Sequence, residues 1–142
     1  MTRCRLARTP ISARADSQPR RHVAEWRAMY PDIDEARNLH AGLKALVDRH
    51  MGDAPDYRAL RRMLDLCRRA AATIDDRYCR DKVRLVEDFA AELFSHGETR
   101  AQFLKQQILS ALELFHSRLY SIEILRRSAA RAAITQGQSL RA

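Results

Sequence analysis

Arg58, Arg61, Arg62, Arg68 and Arg69 recur at i, i+3, i+4, i+10 and i+11. On a helix of 3.6 residues per turn, that spacing gathers five guanidinium groups on one side, with only Asp65 among them. Guanidinium groups are planar and permanently charged, and they grip carboxylate or phosphate oxygens in pairs. Such a row fits an acidic protein surface or a nucleic-acid backbone. A solvated helix face, its charges offset by acids three or four residues away, has the same pattern. No helix-turn-helix, zinc-finger or aromatic-interleaved RNA motif accompanies the row, so base-specific readout is not expected. Arg20 and Arg21 join it as candidates for contact with an anionic partner.

Two other groups have a spacing that chemistry can use. Glu113 and His116 form a Glu-x-x-His, which lets a carboxylate and an imidazole on one helix reach a common metal. Carboxylate-bridged metal bundles need two such motifs and two further Glu residues, and this chain has one motif. Asp88, Glu92 and His96 stack at i, i+4 and i+8, but His96 also suits a helix C-terminus, where the dipole favours a cation. Neither group is expected to hold a metal. No nucleophile elbow, glycine-rich phosphate loop or neighbouring Cys and His is present. The chain therefore reads as non-catalytic, without a cofactor or a small-molecule substrate.

These side chains need helices to position them, and the composition favours helices. Of 142 residues, only 4 are Gly and 4 are Pro, and aromatic residues make up 6%. From Thr99 to Ile134, apolar residues recur at three- and four-residue steps with no Pro or Gly between them. Helix is also expected from about Ile33 to Met51, with Asp32 and Glu35 as a capping box and Gly52 as the stop. From Pro55 to Ser95 the stripe Tyr57, Leu60, Leu64, Cys67, Ala71, Ile74 and Tyr78 continues into Leu85, Val86, Phe89, Leu93 and Phe94. Nothing there breaks a helix outright, so one kinked helix of about forty residues is the preferred reading. A break near Asp75, with Thr73 to Asp76 capping a separate helix, is the alternative.

The expected architecture is an all-α antiparallel bundle of three long helices, or four if the middle one breaks. Its core is a coiled-coil-like hairpin turning at Gly97. Residues 1–31 read as a basic, largely disordered arm that includes Trp26, residues 32–135 as the bundle, and residues 136–142 as a frayed tail. The formal net charge of +8 sits at the two ends. Seven Arg against two acids fall in residues 1–31, and four Arg with no acid in residues 126–142. No apolar run would cross a bilayer of ~30 Å. Three Cys and no apolar leader segment point to a reduced, cytoplasmic setting, although an Arg-rich, acid-poor start also suits a mitochondrial presequence.

The last helix carries more apolar surface than a single seam needs. Phe103, Leu109, Leu114, Tyr120 and Ile124 lie off its main stripe. A homodimer is the expected cover, with Leu39, Leu43, Leu112, Phe115, Leu119 and Ile122 as its interface.

Overall fold

The computed structural model describes residues 30–50, 54–95 and 100–141. They form α1 (Pro31–Arg49), α2 (Tyr57–Thr73), α3 (Arg77–Ser95) and α4 (Ala101–Arg141). No strand occurs among the described residues. The chain is an all-α bundle in its four-helix form.

The helix starts differ in detail from the sequence reading. Tyr30 stands at the N-cap of α1 without a side-chain cap, and Pro31 opens the helix. Proline suits that position because its φ is fixed and the N–H it lacks would have no helical partner. Asp32 and Glu35 therefore do not make a capping box; they reach out to Arg126 at 2.8 Å and Arg69 at 3.5 Å. α2 begins two residues beyond Pro55, with the Asp56 carboxylate accepting from the Ala59 N–H at 3.0 Å. Gly52 and Gly97 lie outside the described residues, as do Trp26 and residues 1–29 of the N-terminal arm, whose last residue, Pro31, belongs to α1.

The middle segment is broken, which overturns the single forty-residue helix. Ile74 leaves α2 in an extended conformation, φ −116° and ψ 123°, with its side chain in the core. The Asp76 carboxylate then accepts from the Cys79 N–H at 3.0 Å and caps α3. It also accepts two hydrogen bonds from Arg118 of α4, at 3.0 and 3.2 Å. One aspartate thus starts a helix and ties the joint to a third element. The break needs neither Pro nor Gly, because buried Ile74 and the doubly used Asp76 stabilise it.

Cross-helix contacts show that every neighbouring pair runs antiparallel. Glu35 meets Arg69 while Gly42 faces Leu66, so α2 returns along α1. The Asp56 N–H donates to the Phe94 carbonyl at 2.8 Å, which pairs the start of α2 with the end of α3. Asp76–Arg118 and Glu92–Arg100 set α4 against α3. Asp32–Arg126 and Lys105 on the His50 carbonyl, at 2.8 Å, close α4 on α1. This is up-down-up-down topology.

The core is one cluster running from Ile33 to Leu119, with Phe94, Phe115, Leu43, Met63, Leu93 and Ile108 among its largest fully buried side chains. On α2 the buried arc is Met63, Leu66, Cys67, Ala70 and Ile74, while Tyr57 stays exposed and Leu60, Leu64 and Ala71 are only half-covered. The expected stripe is therefore turned toward α1, where Leu66 faces Gly42. Leu39, Leu43, Leu112, Phe115 and Leu119 are buried inside the single chain, and Ile122 packs on the same cluster. That corrects their place: the chain's own helices cover them, so a second copy cannot dock there.

α4 outruns its neighbours. Its 41 residues are more than twice the 19 of α1, and residues 128–136 are exposed. The bundle ends where Arg126 meets Asp32 and where Glu123, buried, is held between Arg37 and Arg127. Where the sequence reading ends the helix near Ile134, it continues through Arg141. No helix among the described residues is long and apolar enough to cross a membrane.

Candidate anion-binding face

Among the described residues α2 packs between α1 and α3, and no other helix covers its far side. Arg58, Arg61, Arg62, Arg68 and Arg69 all stand on that side and all are exposed. At 1.5 Å per residue they cover about 17 Å of helix axis. Their spacing resolves into two rows: Arg58, Arg62 and Arg69 lean toward α1, and Arg61 and Arg68 toward α3. Asp65 sits between the rows and reaches Arg62 at 3.7 Å. Glu35 of α1 reaches Arg69 at 3.5 Å. Both pairs are exposed, and such pairs contribute little. Arg58, Arg61 and Arg68 make no ion pair among the described residues. The face therefore keeps most of its charge available.

The bundle adds two arginines that the row on α2 did not reveal. A shallow pocket of about 140 Å³ between α2 and α3 is lined by Ala71, Arg80, Val83, Arg84 and Glu87. Ala71 lies one turn beyond Arg68, so the basic surface continues from α2 onto α3. Arg80 is occupied by Asp75 at 2.7 Å, whereas Arg84 has no ion pair among the described residues. Arg77, Arg80 and Arg84 recur at helical steps in the sequence, but only the break at Ile74 folds them back beside Arg68. Arg20 and Arg21 lie outside the described residues.

The remaining candidates resolve differently. His116, read as half of a metal motif, has a partner far away in sequence: His40 of α1 stacks on it with ring centroids 4.7 Å apart. Burial lowers the His40 pKa below its ordinary value, as does the charge of His116, while Glu113 works in the opposite direction. Stacked rings aim their nitrogens past each other rather than at one ion. No set of three or more His, Cys, Asp or Glu placed to hold a metal occurs among the described residues. Asp88 is exposed and Glu92 is engaged by Arg100 at 3.1 Å, while His96 lies outside the described residues. Burial pushes the thiols of Cys67 and Cys79 up to about 12, and both are free. Thiols so hard to ionise are poor nucleophiles.

What this face offers chemically is a set of guanidinium donors spread over a wide surface, beside a shallow recess of about 140 Å³. Comparison with protein-family models, with curated proteins and with solved structures finds no match to this chain, so the reading of this face rests on its own residues.

Proposed function

We propose that this chain is a non-catalytic helical interaction protein that docks an acidic protein surface on the arginine face of α2. One observation carries the reading: Arg58, Arg61 and Arg68 are exposed on one helix and make no ion pair among the described residues. Exposed guanidiniums fixed at helical intervals can pair with carboxylates at similar intervals on a partner helix, and the bidentate geometry gives orientation as well as attraction. An acidic helix is the better match than a duplex, because the five arginines of α2 run straight along one helix for only about 17 Å. No recognition element that enters a groove accompanies it among the described residues.

The test is a fluorescence-anisotropy titration of labelled polyglutamate with the full chain, at low and physiological salt. Replacing Arg58, Arg61 and Arg68 together with Ala is expected to weaken binding by roughly tenfold or more and to flatten its salt dependence. Replacing Arg131 on the far end of α4 should change it little. Unaltered binding by the triple variant would make the face a solvated one and end the proposal. Tighter binding of a short DNA duplex than of polyglutamate, lost in the same variant, would move the reading to a nucleic-acid backbone.

A further inference from the structure

Between α2 and α3 the chain leaves an apolar seam only partly closed. Leu60, Leu64 and Ala71 line the α2 side of it and are half-covered, because the stripe they belong to is turned toward α1. Ala71 opens into the recess of about 140 Å³, which Val83, Glu87, Arg80 and Arg84 line from α3. A space of about 150 Å³ takes a group the size of benzene. Exposed arginines stand along both edges of the seam, Arg61 and Arg68 on α2, Arg77 and Arg84 on α3. None of the four makes an ion pair among the described residues.

We propose that this seam seats the apolar side of an acidic amphipathic helix, whose flanking carboxylates pair with the arginines on both edges. The seam belongs to the arginine face, and its role here rests on that face being the docking surface. Charge complementarity selects the occupant. Four guanidiniums without counter-charge repel a basic segment, and a nucleic-acid backbone has no apolar side chain to cover Leu64 and Ala71. Glu87 then decides what enters the recess. It is half-buried and makes no ion pair among the described residues. After burial itself, its charge helps hold the Cys67 thiol up at about 12, which places it against α2. A carboxylate entering beside Glu87 would meet a like charge in a site partly closed to water. The side chain that enters is therefore uncharged.

The spacing specifies a helix. Leu64 and Ala71 stand seven residues apart, as do Arg61 and Arg68, and Arg77 and Arg84. Seven residues are about two helical turns, so floor and both edges repeat together. A partner helix laid along the seam can then place an apolar residue over Leu64 and another in the recess. Carboxylates at the same interval fall beside the arginines, as flanking charges do in coiled coils. The edges also coincide in height. Asp56 meets Phe94, and counting ten residues from each along the antiparallel pair brings Arg84 level with Leu66, between Arg61 and Arg68. One helix can therefore engage both edges at once.

The experiment is a fluorescence-anisotropy titration of two labelled helical peptides with the full chain at physiological salt. Both carry Glu along two flanking lines; the line between them is Ala in one peptide and Leu at seven-residue intervals in the other. The Leu peptide is expected to bind about tenfold tighter, from the apolar surface it buries. Ala71→Phe, which fills the recess from a half-covered position, should bring the two affinities within about twofold and leave the Ala peptide unaffected. Replacing Arg58, Arg61 and Arg68 with Ala should weaken both peptides. Equal binding of the two peptides to the wild type would overturn the inference, whether or not Ala71→Phe folds. A Leu advantage that survives in folded Ala71→Phe would overturn it as well. In both cases the arginine face remains a docking surface. Binding of both peptides untouched by the triple Arg variant would instead overturn the reading of that face.

Discussion

At the scale of the residue, Asp76 is the most consequential side chain outside the core. It caps α3 and holds Arg118, and that guanidinium sets its carboxyl at about 2, below the ordinary 3.8. A depressed carboxyl contributes stability that is complete above the unfolded value and is lost as pH falls from there toward 2. Asp76→Ala is expected to lower stability by about 1–2 kcal/mol through the lost cap alone. Its unfolding midpoint should also respond less to acid between pH 4 and 2. Thermal melts of the two proteins across that range check both outcomes. His40 acts at a higher pH. Because burial and His116 hold its pKa below 6.5, folding favours the neutral ring, and stability should begin to fall as pH drops through 6.5. His116 and Lys44 reinforce that loss when His40 takes a proton, and Glu113 moderates it. His40→Phe should flatten the stability profile between pH 7 and 5, as urea titrations at each pH would show. The sequence offered a cap at Thr73 to Asp76 as an alternative, but the Asp76–Arg118 pair and the His40–His116 stack were not legible there, because each forms only through the fold.

At the scale of the element, apolar period located the helices and left their joints open. The long stripe from Thr99 to Ile134 marked α4, and the run of Ala36, Leu39, Leu43 and Val47 marked α1, because a sustained 3.6 period has no competing explanation. The break at Ile74 was weighed against a continuous helix and not preferred, since the usual signals, Pro and Gly, are missing there. What decides it is Arg118, which no local pattern reports. The same lack of tertiary information assigned Leu112, Phe115 and Leu119 to a partner: a stripe shows that a face is covered, not which chain covers it. Two substitutions separate the two faces of α4. Leu119→Ala, wholly inside, should cost about 2–5 kcal/mol, whereas Leu114→Ala should leave the stability of the single chain within about 0.5 kcal/mol. Denaturant melts at low protein concentration make that comparison. On α1, a methyl group at Gly42 would meet only the end of the Leu66 side chain, at 3.4 Å. Gly42→Ala should therefore raise stability by about 0.5–1 kcal/mol as backbone freedom in the unfolded chain is reduced.

At the scale of the whole molecule, the bundle separates two surfaces. One side carries the exposed arginines of α2, and the other carries Leu114 and Leu125 of α4, both exposed. The antiparallel order α1–α2–α3–α4 puts them on different helices, so one can be engaged while the other stays open. The arginine row was legible because charge at helical spacing needs no knowledge of the fold. Its continuation through Arg84 was not, because it depends on α3 turning back beside α2. The most direct measurement of the proposed docking is an amide chemical-shift titration of isotope-labelled chain with unlabelled polyglutamate at physiological salt. Perturbations concentrated along Arg58–Arg69, with smaller ones around Arg84 and none on the α4 overhang, are the predicted result. Shifts confined to the overhang, or an absence of shifts on α2, would contradict the assignment of this face as the docking surface.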